Sequence, residues 1–343
     1  MGIMNAQNME AKIAKGWRPH KYLTNMSMAY FMAAEDAVAP ALFPICPVAT
    51  STGFYYEFSR ADLARNNVRR KPAFGKVQPA IIGQSENSYH CYVDQVILGI
   101  DQIGRLNYVR AGVPGVADPR AAKIRTATEQ MTINLDAQFA QKFFRPGVWT
   151  NEWTGVDGAT TGKQFIKFDN DNSDPILMLN GLSTGMKRTG RRRPNKLALG
   201  ANVFDALQNH PAILDRIKFT GTSVNPAMVT EQALAALFRV KEVKVLESTY
   251  NAARLGEDED MQFICSPNDA LLVYAPDAPQ IDEPSAGYTF TWDMLGDGNY
   301  MAMDQWDGEP GTHAEFVEGL MSTDMKKTSD DLAVYMKDCV TGR

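Results

Sequence analysis

The stretch DPRAAKIRTATEQMTINLDAQFAQKFFRPG, residues 118–147, reads as one long helix signed at both ends. Asp118 suits the N-cap and Pro119 the first helical position. Ile124, Met131, Leu135, Phe139 and Phe143 recur at spacings of seven, four, four and four, a single apolar stripe. Arg145-Pro146-Gly147 stops it. A helix of about 26 residues at 1.5 Å each spans roughly 39 Å. Ordinary helices run about 8–20 residues, so the pattern predicts a beam crossing the molecule.

Upstream of the beam the sequence predicts two extended features. Residues 51–100 read as a long β-hairpin, with Gly53 to Phe58 as aromatic strand material and Tyr89 to Val93 as the returning strand. Its tip holds Arg60, Arg65, Arg69, Arg70, Lys71 and Lys76, with Pro72 and Gly75 as turn signals. A polar tip of about 30 residues is too long for an ordinary turn and marks a working loop. Contact with another subunit is the favoured use. Arg69-Arg70-Lys71 touching nucleic acid is the weaker one, because only Phe74 stands among the bases. Residues 1–50 read as an arm with six methionines and no core of its own. A short helix is expected over 25–37, then an extended path forced by Pro40, Pro44 and Pro47. Such an arm needs a surface to lie on, its own body or a neighbour's.

Downstream, the texture changes at Lys196 to alternating short strands and helices. Lys196–Gly200 is a strand, Ala201–Asn209 a helix ended by His210-Pro211, and Asn225-Pro226 opens a helix with the stripe Leu234, Leu237, Val240. Strands follow at 242–247, 261–265 and 270–274. That is a compact mixed α/β body. The segment 316–340 is expected to rejoin the region of the beam.

The chain has 343 residues, 44% apolar and 22% charged, enough to bury a sizeable core. No apolar run of about 18 residues is present, so a membrane span is not expected. The four cysteines, at 46, 91, 265 and 339, are too far apart for a zinc knuckle and are expected as free thiols in a reducing cytosol. Charge is divided unevenly. Residues 1–150 hold 17 Lys/Arg and 11 Asp/Glu, whereas 151–343 hold 18 and 29. From 255 to 325 there are 16 Asp/Glu and no Lys or Arg, and the stretch includes the run Glu257-Asp258-Glu259-Asp260. A solvated acidic face is one reading. Self-association, positive part to negative part, is the other. The pI near 5.5 disfavours a protein that grips nucleic acid through a dense basic surface.

Motifs for chemistry are sparse. Gly181-Leu182-Ser183-Thr184-Gly185 fits the Gly-x-Ser-x-Gly elbow, with 175–179 as a possible strand before it. Met186 to Pro194, carrying Gly190, five bases and a proline, is poor material for the helix that an elbow needs. The expectation is a glycine-punctuated surface connection rather than a hydrolase using Ser183 with Asp205 and His210 or His313. Gly158 to Lys163 misses a phosphate loop by one residue in spacing, and Gln164 stands where Ser or Thr belongs. Asp169, Asp171 and Asp174 begin like a calcium loop but lack its glycine and closing glutamate. No catalytic, cofactor or metal site is expected.

The order of arm, long hairpin, beam helix, α/β body and returning end resembles the Hong Kong 97-like major capsid proteins of tailed bacteriophages. Local wording is similar in Leu23-Thr24-Asn25-Met26-Ser27, Phe43-Pro44-Ile45-Cys46-Pro47-Val48, Tyr55-Tyr56-Glu57-Phe58-Ser59-Arg60 and Tyr89-His90-Cys91. It is similar again in Thr189-Gly190-Arg191-Arg192-Arg193-Pro194-Asn195-Lys196-Leu197 and Phe204-Asp205-Ala206-Leu207. The resemblance covers nearly the whole chain, most weakly after Gly256. It implies an α+β fold with an N-terminal arm at 1–50 and an extended loop at 51–100. A peripheral domain at 101–195 would carry the spine helix at 118–145. An axial domain would take 196–305, and 306–343 would return to the periphery. It implies a structural function: hexamers and pentamers closing into an icosahedral head around packaged double-stranded DNA, in a virion assembled in the bacterial cytoplasm. Further partners would be a scaffolding protein, a portal protein and a decoration protein, with no membrane. Only 22 residues precede Leu23, too few for a built-in scaffolding domain, so a separate scaffold is expected. Arg60, Arg65, Arg69, Arg70, Lys71 and Lys76 on one side, and Glu257, Asp258, Glu259 and Asp260 on the other, are the inter-subunit contact candidates. Lys71 or Lys76 also stands where some relatives cross-link, without an identifiable asparagine partner. An encapsulin-like compartment with the same fold is the alternative.

Overall fold

The computed structural model describes residues 37–58, 66–71, 73–77, 79, 84–103, 106, 119–217, 229–254, 256–279, 283–294 and 301–342. In chain order, α1 (Ala39–Leu42) and β1 (Ile45–Val48) precede the hairpin strands β2 (Thr52–Phe58) and β3 (Gln84–His90). Then come β4 (Tyr92–Asp101), α2 (Pro119–Phe143), β5 (Glu152–Val156), β6 (Gln164–Ile166) and α3 (Pro175–Gly190). The α/β stretch follows with β7 (Lys196–Gly200), α4 (Ala201–Asn209), α5 (Pro211–Ile217), α6 (Glu231–Phe238) and β8 (Glu242–Leu246). A ribbon of β9 (Thr249–Asn251) and β10 (Met261–Phe263) leads to β11 (Ala270–Val273). The last strands are β12 (Gly287–Trp292), β13 (Met301–Asp307), β14 (Ala314–Lys327) and β15 (Ala333–Lys337).

The beam is α2, 25 residues long, and all five stripe residues are buried. It lies on a five-stranded sheet built around β14. One edge of β14 pairs with β4, while the other takes β13 and β12 in succession, and β1 runs parallel to β12. Met131, Leu135 and Phe139 of α2 pack with Met301, Met321 and Met325 of the strands in one core.

A second sheet, in the order β6-β5-β15-β11-β7-β8, carries α3 to α6 on one face. Every residue of β7 is buried, and its alternation is that of a strand covered on both sides. Leu197 and Leu199 meet the helices, whereas Ala198 faces the core shared with α2. The two sheets therefore share one interior with no solvent seam between them.

Residues 39–42 differ from the expected extended path, whereas Ile45–Val48 follows it as β1. Pro40 does not block a helix there, because it sits in the first turn of α1, where no amide donor is needed. Val38, Ala39, Leu42 and Phe43 are fully buried on their own body. The entry of this segment is fixed by Asp136 of α2. Its buried carboxylate accepts the amide hydrogens of Val38 (3.0 Å) and Ala39 (2.8 Å). The helix expected over 25–37 falls outside the described residues but for its last position, as does Asp118.

Four further corrections concern boundaries. Val93 belongs to β4, not to the hairpin, since the chain breaks pairing at Cys91 to switch sheets. The line at 195/196 cuts the six-stranded sheet, because β5 and β6 join it through β15. The stretch 196–305 also gives β12 and part of β13 to the other sheet. The returning end splits as well: β14 joins the sheet under α2, but β15 inserts into the middle of the second sheet. Finally, 175–190 is a continuous helix, not a strand followed by a surface connection. Asp174 caps it through the amide of Leu177 (2.9 Å), Pro175 opens it, and the buried side chains Ile176, Leu179, Leu182 and Met186 outweigh its two mid-helix glycines.

Candidate assembly surface

The hairpin leaves the body from a rigid root. The Tyr89 ring stacks on Phe290 at 4.7 Å and 15°, and Tyr55 meets the same ring at 5.3 Å. The His90 amide donates to Asp324 Oδ2 (2.8 Å), and Lys326 Nζ lies 3.2 Å from that oxygen. Gly53 is required under this stack, since a Cβ there would stand 2.5 Å from the Tyr89 hydroxyl. Beyond the root, β2 and β3 pair only with each other among the described residues. A lone two-stranded ribbon is marginal in water. Phe54 is 73% exposed, Val68 88%, and Phe74 fully. Arg69, Arg70, Lys71 and Lys76 are exposed beside Val68 and Phe74; Arg60 and Arg65 lie outside the described residues.

A second exposed surface lies on the outer face of the five-stranded sheet, away from α2. Trp306 and Phe316 stack there at 5.9 Å, with Ile97 exposed on β4. Carboxylates flank them: Asp101, Asp304 and the buried Glu318, which accepts from the amide of Gln95. Sequence reading missed this face. Its signal was the alternation of Asp304-Gln305-Trp306-Asp307, hidden because the partner residues come from β4 and β14, far away in the chain.

The other sequence candidates separate cleanly. Glu257, Asp258, Glu259 and Asp260 are all exposed in the loop between β9 and β10. Among the described residues they form no ion pair with the hairpin bases. Ser183 lies in mid-helix in α3, buried, and its Oγ has no hydrogen-bond partner. No described histidine hydrogen-bonds it; His210 is engaged with Ser173 Oγ at 2.9 Å. Among the described residues neither a strained turn nor a base stands at Ser183. Ser183→Ala is expected to leave stability unchanged or raise it by about 1 kcal/mol, because it removes an unsatisfied buried hydroxyl; a loss above about 1 kcal/mol in urea melts would contradict this.

Gly158–Lys163 is an exposed connection running into a strand, with Lys163 Nζ on the Thr150 carbonyl (2.9 Å). Asp174 is occupied as a helix cap and Asp169 Oδ2 by the Thr341 amide (2.9 Å). Among the described residues no cluster of His, Cys, Asp or Glu is placed to hold a metal ion. No described helix is long and apolar enough to cross a membrane. All four cysteines are free, and burial raises the thiol pKa of each, to about 12 for Cys91.

No protein-family model matches the chain. A curated relative is the major capsid protein of Burkholderia phage BcepMu, 23% identical over 274 residues, covering 78% of this chain and 81% of that one. Among solved structures, a phage-related protein from Bordetella bronchiseptica superposes with a TM-score of 0.71 at 18% identity, over 94% of this chain and 97% of that one. A virus-like particle from Pyrococcus furiosus superposes with a TM-score of 0.52 at 8% identity, over 92% and 98%.

Proposed function

We propose that this chain, which has the Hong Kong 97-like fold, is a major capsid protein that assembles with copies of itself into the shell of a tailed-phage head. The observation that carries the reading is the pair of unmatched surfaces on one subunit. A rigidly rooted hairpin exposes Phe74, Val68 and four bases, and a distant sheet face exposes Trp306 and Ile97, with Phe316 half-buried beside Trp306, among carboxylates. Apolar groups of this size left in water mark an interface, and opposite charge around both sets its partner and register. Because the two patches differ, contact between copies is heterologous and propagates into rings and shells. The relative named a major capsid protein supports the same reading.

Finer assignments belong to this proposal. Hexamers and pentamers form the shell, a separate scaffolding protein guides it, a portal admits double-stranded DNA, and decoration proteins bind outside. Assembly takes place in the host cytoplasm. The hairpin bases Arg60, Arg65, Arg69, Arg70, Lys71 and Lys76 are inter-subunit contacts. A compartment shell of encapsulin type is a second reading that would carry the same fold.

Expression of the whole chain, with and without a scaffold, followed by gel filtration and negative-stain electron microscopy tests the proposal. Rings, tubes or shells are expected, with nucleic-acid content separating head from compartment. A monodisperse monomer or dimer under all conditions overturns it.

A further inference from the structure

Helix α3 presents a face that nothing among the described residues covers. Leu177, Gly181, Thr184 and Arg188, spaced four, three and four, are all exposed, Leu177 at 72%. Beyond them the charge becomes dense. Lys187, Arg188, Arg191, Arg192 and Arg193 place five cations within seven residues, all exposed. The backbone turns at Arg191 (φ 59°), and Lys187 Nζ donates to the Arg191 carbonyl (3.2 Å). Arg192 lies over the Tyr274 ring at 5.7 Å. Arg188 and Arg193 have no carboxylate partner among the described residues. The helix C-terminus attracts cations, but only weakly when exposed. Crowding of this kind calls for an external anion.

We propose that this face is the seat of the β9–β10 ribbon of a second copy of the chain. The inference rests on the shell reading and specifies one of its contacts. Among the described residues the ribbon pairs with no other strand, and Met261 and Phe263 are exposed on it. Its tip carries Glu257, Asp258, Glu259 and Asp260, which make no ion pair among the described residues. From Leu177 to Arg188 is eleven residues of helix, about 16 Å. From Phe263 to Asp260 is three strand steps, about 10 Å, with the other carboxylates beyond. The apolar strand thus lies toward Leu177 while the acidic tip reaches Arg188 and Arg193. Gly181 and Gly185 have open space where a Cβ would stand, so the ribbon approaches the helix closely. A nucleic-acid strand matches the bases but not Leu177 or the glycines, and the half of the chain carrying this face has an excess of acid.

A charge swap decides the matter. Arg188→Glu with Arg193→Glu, and separately Glu257→Arg with Glu259→Arg, are each expected to lower the yield of particles about tenfold or more by setting like charges together. All four substitutions in one chain are expected to restore the yield to within about threefold of the natural chain. Exposed positions keep the fold out of question, and circular dichroism checks it. If the natural chain forms no particles, the shell reading fails. If it forms them and the Arg variant assembles normally, or the combined chain is not rescued, the ribbon contact fails alone. Normal particles with reduced nucleic acid in the Arg variant would assign the face to nucleic acid and overturn the contact.

Discussion

Phe43→Ala is expected to cost about 3–5 kcal/mol of stability, the range for emptying a fully enclosed aromatic site. Its ring contacts Phe143 at 4.8 Å, Phe139 at 5.1 Å and Trp149 at 6.5 Å, edge-on to Phe139 and Trp149. Gly287 supplies the space, since a Cβ there would collide with the Phe43 ring. The surrounding strands and α2 are too well tied to collapse into the hole. Urea denaturation measures the loss, and limited proteolysis is expected to open the chain near residues 37–48. A loss under about 1 kcal/mol would show that this segment does not belong to the core.

The second large effect depends on pH. Burial pushes the Asp136 carboxyl up to about 6, although the amides of Ala39 and Val38 and the charge of Lys244 pull the other way. Between pH 4 and 6 the folded chain therefore holds a proton that the unfolded chain has released. Stability from this group is complete below about 4 and is lost as pH rises through about 6. The loss amounts to roughly 3 kcal/mol. Asp136→Asn keeps an acceptor for the two amides and removes the titration. Its stability relative to the natural chain is expected to rise across that window; parallel profiles would mean that Asp136 is not buried as a carboxylate.

Local patterns were readable where a helix or hairpin carries its own signals. The α2 stripe and its stop are written in consecutive turns, and the aromatic strand with its return announced the hairpin. Helix α3 was not readable, because Gly181, Gly185 and Gly190 argue against a helix and its stability comes from burial against strands and helices elsewhere in the chain. For the same reason the division at 195/196 misled: β5 has no mark saying that its neighbour will be Tyr335–Lys337. The candidate contact residues were legible as charge runs. The apolar face at Trp306 was not, since β4, β13 and β14 each supply only one member.

Strand β15 comes last in sequence among the six of its sheet, yet stands third from one edge. While the ribosome is still translating, the nascent chain holds two open fragments, β6-β5 and β11-β7-β8, that no earlier segment can join. Closure waits for Ala333–Lys337 to emerge, so the body that bears the ribbon and the α3 face matures only when translation is nearly done. A chain broken off upstream lacks the keystone and presents sheet edges instead of docking faces, which makes it a substrate for proteases rather than a defective building block.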